Sequence, residues 1–423
     1  MKSLKLLLRF AILGGLILLL LVPLLMIRGV ISDRTQYRDE AVARVAQSSA
    51  GEQRFIGPVR YLPYKGRWPS EDGVIEQTPR SLGIQSVLVP TERRIGLFRV
   101  TVYTWKAKVR AEFDPLPYEA VKDRVYGAPY LAVGISDIRG LVGSPSLHVE
   151  GRALPLQSGS KALEAVKGGV HADLPAPVDP AAGTLPALVQ VALTLDLNGT
   201  RGLSVVPIGD TNQVAISSSW PHPSFGGEYL PSDRAIDTGG FRAQWSLSSL
   251  ATGARTQLAA GKMPAALSVD LIDPVDVYTQ ADRASKYGLL FVLLTFTGFV
   301  LLELIRGLRI HPVQYLLVGL ALAIFFLLLL SLSEHIAFWQ AYAIAVAACI
   351  GLQGFYLAGV LRSRWLALGF SALLTALYGV LYSLLVSEDN ALLMGSLLLF
   401  GILGGIMWLT RRLDWYQLGS ESQ

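Results

Sequence analysis

Apolar residues concentrate in one run near the start of the chain and in a block after residue 286. Phe10–Ile27 carries no charge, and a helix of that length spans about 27 Å, close to the hydrocarbon core of about 30 Å. A cleaved signal peptide would have an apolar stretch of about 7–15 residues followed by a small-residue cleavage site. Met26-Ile27-Arg28-Gly29 offers no such site, so the pattern favours an uncleaved membrane anchor.

Further apolar segments of helical length follow residue 286. Together with the anchor they predict six transmembrane helices, one at the N-terminus and a C-terminal bundle of five. The five segments are Tyr287–Ile305, Val313–Leu330, Ala341–Leu361, Trp365–Val386 and Ala391–Thr410.

Charges in the short connections predict the orientation. Lys and Arg are enriched on the cytoplasmic side of membrane proteins. The connections at 331–340 and 387–390 carry only acidic charges, whereas the N-terminus and the alternate connections carry basic ones. Both termini are therefore expected in the cytoplasm, with the large middle region outside. The basic residues are Lys2, Lys5, Arg9, Arg306, Arg309, Arg362, Arg364, Arg411 and Arg412.

The middle region has a period of two, which is typical of strands with one buried face. Between Tyr103 and Phe113 the odd positions are apolar, and the even positions from 104 to 110 hold Thr, Lys, Lys and Arg. Val189–Leu197 alternates in the same way and leads into Asn198-Gly199, a strong hairpin signal, before Leu203 and Val205. Phe241–Ser248, Leu131–Ile135 and Val214–Trp220 are further predicted strands, and Asp33–Gln47 is helix-like.

The pattern divides the chain into four regions. Residues 1–29 form the cytoplasmic N-terminus and the anchor, and residues 30–286 an antiparallel β-sandwich domain outside the membrane. Residues 287–410 form the five-helix transmembrane block, and residues 411–423 a cytoplasmic tail. Ala172–Ala187 contains four prolines and reads as a loop or linker, which leaves open whether the β domain is one unit or two subdomains.

Composition supports a membrane protein. The 423 residues are 52% hydrophobic and 16% charged, against about 25% charged in ordinary soluble domains. Within residues 30–286 the charges nearly balance, and no basic cluster stands out, so we expect the lipid bilayer and an unknown periplasmic partner rather than nucleic acid. Cys349 is the one cysteine, which excludes an intramolecular disulfide.

The sequence contains no familiar catalytic or cofactor motif, and we expect no enzyme activity, cofactor or metal. One candidate surface is acidic and lies at the predicted outer ends of the helices. Carboxylates beside an imidazole suit a divalent cation or a pH response, but acids also satisfy helix starts and the charge rule. This group comprises Glu334, His335, Glu388 and Asp389.

The second candidate surface is aromatic and belongs to the β domain. Within Ser219–Gly227, two prolines restrict the backbone beside Trp220, His222 and Phe225. Exposed, this segment would be a recognition loop; buried, it would be a rigid corner of the sandwich with a satisfied histidine.

Residues 200–416 contain several long characteristic strings, which include Trp220–Phe225, Gly240–Trp245, Leu271–Tyr278, Ile310–Gly319, Leu330–Ile336, Ser387–Asp389 and Arg411–Tyr416. Together they resemble the CreD family of bacterial inner-membrane proteins. The resemblance implies a role in cell-envelope integrity and stress, implies that the region outside the membrane lies in the periplasm, and supplies no catalytic residue. We expect non-enzymatic binding through the periplasmic domain; the alternatives are a small-molecule, ion or lipid transporter with an acidic periplasmic mouth, and a membrane hydrolase with an unfamiliar site.

Overall fold

The computed structural model describes residues 2–115, 125–163, 165–166, 168–175, 189–272, 277–306, 310–360, 364–386 and 391–411. The chain forms two compact units. The helical unit comprises Met1–Tyr37 and Val275–Gln423, and the β unit comprises Arg38–Pro274. The predicted helix-like stretch after the anchor is part of the same continuous helix as the anchor itself.

Each apolar segment predicted from the sequence corresponds to a described helix, and three of the described helices lie outside these segments. In chain order the described helices are α1 (Lys2–Ser48), α2 (Ser249–Thr252), α3 (Ala254–Ala259), α4 (Val277–Lys286), α5 (Gly288–Arg306), α6 (Pro312–Ser333), α7 (Phe338–Val360), α8 (Arg364–Val386) and α9 (Ala391–Thr410).

Several of these helices are suited to a membrane. In the part of the chain that the structure describes, α1, α6, α7 and α8 are each long and apolar enough to cross one. Helices α4 and α5 meet at a 43° bend and would add a fifth span if they count together. The described apolar stretch of α9, Leu393–Gly405, is shorter. The protein is thus a membrane protein with multiple apolar helices, and the count of six spans stays a prediction.

Large apolar side chains point outward from these helices. Leu25 is 60% exposed, Phe355 85% and Phe400 76%. Trp339 and Trp365 are also exposed, close to the first residues of α7 and α8. Such surfaces are unfavourable in water and favourable in hydrocarbon, and tryptophan prefers the membrane–water interface. The outward residues therefore match a lipid environment.

The β unit contains seventeen described strands. They are β1 (Gln53–Lys65), β2 (Gly73–Gln77), β3 (Ser81–Ile95), β4 (Phe98–Phe113), β5 (Val125–Tyr126), β6 (Tyr130–Ile135), β7 (Leu141–Val149), β8 (Arg152–Leu154), β9 (Gln157–Ser158), β10 (Gly169–Asp173), β11 (Val189–Thr200), β12 (Gly202–Val205), β13 (Thr211–Ser218), β14 (Pro223–Gly227), β15 (Asp233–Asp237), β16 (Gly240–Ser248) and β17 (Leu267–Leu271).

The strands form two sheets that enclose one large core, as in a β-sandwich. One sheet has the order β14-β17-β12-β1-β6-β10-β9, with β2 and β5 also paired to β1. The eight-stranded sheet has the order β15-β16-β13-β3-β4-β11-β7-β8. Trp105 of β4 is fully buried, and its ring meets Phe55 of β1 edge-on at 5.2 Å between centroids.

The pairing is mixed rather than purely antiparallel. Strand β3 pairs with β13 in parallel, and β1 pairs with β12 in parallel, while the other pairs are antiparallel. Both sheets contain strands from before and after the proline-rich segment, and residues 176–187 of that segment lie outside the described residues. The two halves of the β unit therefore share a common core.

The predicted hairpin at Asn198-Gly199 is wrong. Both residues continue β11, where Gly199 lies opposite Tyr103 of β4. The following strand, β12, pairs instead with β1 and β17 in the other sheet. Arg201, with a φ of 67°, marks the change of sheet. The Asn-Gly signal was overridden because Thr104 donates a hydrogen bond to the Asn198 side chain at 2.7 Å, which keeps that residue in the ladder.

Gly199 has a packing role in place of a turn role. The hydroxyl of Tyr103 crosses β11 to donate to the carbonyl of Gly202 at 2.6 Å, and a Cβ on Gly199 would overlap that ring. Burial raises the pKa of Tyr103, so the phenol stays a neutral donor.

We expect Gly199→Ala to lower the free energy of unfolding by about 1–3 kcal/mol, because overpacking forces a shift of strand or ring. Gly83→Ala is the matched control: a Cβ there meets only the carbonyl oxygen of Arg110, at 4.0 Å. The thermal unfolding midpoint of the full-length protein in detergent, followed by tryptophan fluorescence, checks the difference. Equal midpoints for the two variants would contradict the role given to Gly199.

Candidate functional site

Glu334 of the predicted acidic surface is held in a local network within the helical unit. It follows the last residue of α6, and its side chain is only 7% exposed. Its Oε1 lies 3.5 Å from Nε of Arg34, and the Tyr278 hydroxyl donates to the same oxygen at 3.3 Å. This carboxylate therefore links the end of α6 to Arg34 within α1 and to Tyr278 in the first turn of α4.

The other members of the acidic surface are not brought together by the described residues. His335 is exposed, and its Nδ1 lies 3.1 Å from the carbonyl oxygen of Ser331. Glu388 and Asp389 lie outside the described residues. Within the described ranges, no group of three or more His, Cys, Asp or Glu side chains is arranged to hold a metal ion.

The aromatic surface separates into packed and exposed residues. Trp220 is half-buried and donates from Nε1 to the carbonyl of Ile272 at 2.8 Å. Phe225 lies on β14, at one end of its sheet, and meets Phe241 and Trp245 edge-on at 5.5 and 5.9 Å. His222 is exposed between them. The rings of Trp220 and Phe225 pack against the core of the sandwich, and the imidazole of His222 lies on the surface.

Arg60 is a cation that lies buried in the β unit. It is 1% exposed, donates from Nε to Gln77 at 2.8 Å, and lies 5.3 Å from the centroid of the Phe113 ring. Burial lowers the pKa of Arg60 to about 10, and the nearby Asp114 opposes that shift. Because its donors are already used inside the protein, Arg60 reads as a structural residue.

The outer face of the eight-stranded sheet carries a groove that the sequence did not reveal. The groove encloses about 680 Å³ and crosses β16, β13, β3, β4 and β11. Two rows of paired residues form it. One row runs Arg242, Ser217, Val87, Lys106, Asp196, and the next runs Gln244, Ala215, Gln85, Lys108, Thr194.

The register of β4 explains why the walls of this groove are basic. Trp105, Ala107 and Val109 are buried in the core, so the alternate residues Lys106 and Lys108 must point outward. Arg110 continues their row, one pair beyond the groove. Between the walls, the short side chains of β13 leave the space open.

These cations are available for a ligand. Lys106, Lys108, Arg110 and Arg242 are all exposed. None of them makes an ion pair or a side-chain hydrogen bond with another described residue. Asp196, opposite Lys106, is the single carboxylate among the described residues that line the groove. The face is therefore suited to binding negatively charged groups.

The sequence could show only part of this face. The even positions of β4 were visible as a polar row, but Arg242 is far along the chain. Only the order β16-β13-β3-β4 brings it opposite Lys106. The parallel pairing of β3 with β13, which fixes this order, has no local signal.

Comparison with solved structures gives only weak likenesses. An M1 zinc metallopeptidase from Deinococcus radiodurans is 10% identical, with a TM-score of 0.22 over 45% of this chain and 42% of that chain. Its E323A mutant with a bound Tyr-Ser-Ala substrate is 8% identical, with a TM-score of 0.23 over 49% and 53%. Such scores carry no argument about fold or chemistry.

Comparison of sequences gives a strong match over nearly the whole chain. The inner membrane protein CreD of Escherichia coli (strain K12) is 35% identical over an alignment of 419 positions that covers 95% of this chain and 92% of that protein. The family profile described as "Inner membrane protein CreD" matches residues 5–416. Together with the apolar helices and the large β unit, these matches show that the chain belongs to the CreD family of inner membrane proteins.

Proposed function

We propose that the chain crosses the inner membrane six times, with both termini in the cytoplasm and the β unit in the periplasm. The support is the distribution of Lys and Arg, which are found at the N-terminus and in every second connection and are missing from residues 331–340 and 387–390. The outward apolar residues of the helices fit a lipid environment along the same segments.

Cysteine labelling in intact cells tests this orientation. In a Cys349→Ala background, Ala337→Cys, between α6 and α7, should react with a membrane-impermeant maleimide after the outer membrane is permeabilised. Ser422→Cys, in the C-terminal tail, should react only after the inner membrane is lysed. The parent Cys349→Ala protein gives the background, and the opposite order of labelling would contradict the proposed topology.

We propose that the protein supports envelope integrity by non-enzymatic binding of an envelope component through the basic groove of the β unit. The observation that carries this proposal is the set of exposed cations without described partners around an open space. The described lining contains cations, amides, small and apolar residues and one carboxylate, Asp196, and it includes neither histidine nor cysteine. Such a surface is suited to holding an anionic ligand through its cations.

The alternative function, transport through an acidic periplasmic mouth, stays a prediction. It needs carboxylates that are free to meet a solute. Glu334 is paired with Arg34 and receives a hydrogen bond from Tyr278, so the described part of this surface does not favour transport over binding.

A triple variant, Lys106→Gln, Lys108→Gln and Arg242→Gln, tests the binding function in cells. We expect it to lose at least tenfold in the survival of an envelope-stressed deletion strain, measured at matched membrane abundance, because the ligand loses its counter-charges. The control is Lys65→Gln, Arg99→Gln and Arg152→Gln, which removes the same charge from exposed positions outside the groove. Full rescue by the groove variant would overturn the proposal.

A further inference from the structure

The cations of the groove form a regular ladder. Lys106, Lys108 and Arg110 alternate along β4, so their Cβ atoms are about 7 Å apart and the row extends for about 14 Å. Arg242 faces this row from three strands away, which places it about 14 Å across the groove. A ligand that meets all of these residues must be elongated and must carry several negative charges.

The floor of the groove offers hydrogen bonds. Gln85 and Thr194 are exposed opposite Lys108, Gln244 is exposed on β16 two residues from Arg242, and each of the three can donate and accept. Ala215 and Ser217 are short and leave room between the walls. A ligand rich in hydroxyl groups would use these side chains in addition to the cations.

The lining disfavours other polyanions. No aromatic residue is among the described residues of the groove, so there is no platform on which nucleic-acid bases could stack. An acidic peptide would also satisfy the cations, but it offers one backbone amide per charge to the side-chain amides and Thr194, whereas a sugar repeat offers several hydroxyl groups.

We infer that this groove binds an anionic polysaccharide, that is, a sugar chain with carboxylate or phosphate groups in its repeat. The inference rests on the proposed function, because it requires the β unit to meet envelope glycans. Charged groups along the chain pair with Lys106, Lys108 and Arg242, while sugar hydroxyls bond to Gln85, Gln244 and Thr194. Because the groove is open to water, salt screens these charge contacts strongly.

Binding of a defined glycan by the full-length protein in zwitterionic nanodiscs tests this inference. The probe is a fluorescent oligogalacturonate of ten sugars, and a neutral malto-oligosaccharide of equal length is the uncharged control. We expect the oligogalacturonate to bind and the neutral sugar to bind at least tenfold more weakly. The affinity for oligogalacturonate should fall at least tenfold between about 50 and 300 mM NaCl, because salt weakens contacts with a polyanion.

Variants assign the binding to the groove. Lys106→Gln, Lys108→Gln and Arg242→Gln together should weaken oligogalacturonate binding at least tenfold, and the Lys65, Arg99 and Arg152 control should not. Gln85→Ala with Gln244→Ala should weaken oligogalacturonate binding while leaving polyglutamate binding unchanged. An unaltered thermal unfolding midpoint shows that each variant is folded.

The outcomes separate this inference from the proposed function. Equal binding of polyglutamate would overturn the assignment to a glycan and indicate an acidic protein partner, and competition by vesicles rich in phosphatidylglycerol would indicate a lipid headgroup. Absence of oligogalacturonate binding, combined with failed stress rescue by the groove variant, would overturn the glycan alone. Absence of binding combined with full rescue would overturn both.

Discussion

The period of two along β4 determines both the core and the surface of the β unit. A strand sends successive side chains to opposite faces, so burying Trp105, Ala107 and Val109 commits Lys106 and Lys108 to the outer face. A slip of one residue would bury the charges and expose the tryptophan, which fixes the register strongly. The packing that stabilises the sandwich is therefore also what assembles the basic groove.

The helical unit is suited to hydrocarbon and the β unit to water. The helices satisfy their backbone polar groups internally and expose apolar residues such as Phe355, as a chain in hydrocarbon must. The β unit buries its apolar residues between two sheets and pairs buried polar groups such as the Arg60 guanidinium, which donates to Gln77.

The sequence predicted the parts of the fold that depend on local periodicity. The predicted strand from Tyr103 to Phe113, the strand Phe241–Ser248 and the positions of α5–α9 were confirmed because each repeats one pattern over many residues. The Asn198-Gly199 hairpin was wrong because long-range contacts keep both residues in β11. The basic groove was missed because it depends on which distant strands are neighbours, and the pairing of Glu334 with Arg34 was missed for the same reason.

Alternate residues of β4 face the open basic groove on one side of the sheet and the core on the other. Single cysteines at positions 106 to 109, in a Cys349→Ala background, measure this directly through their rates of reaction with a water-soluble maleimide in the folded protein. We expect fast reaction at positions 106 and 108, which face the groove, and slow reaction at positions 107 and 109, which face the core. Uniformly slow reaction at all four positions would show that the face is covered, and the inverse alternation would show that the register is wrong.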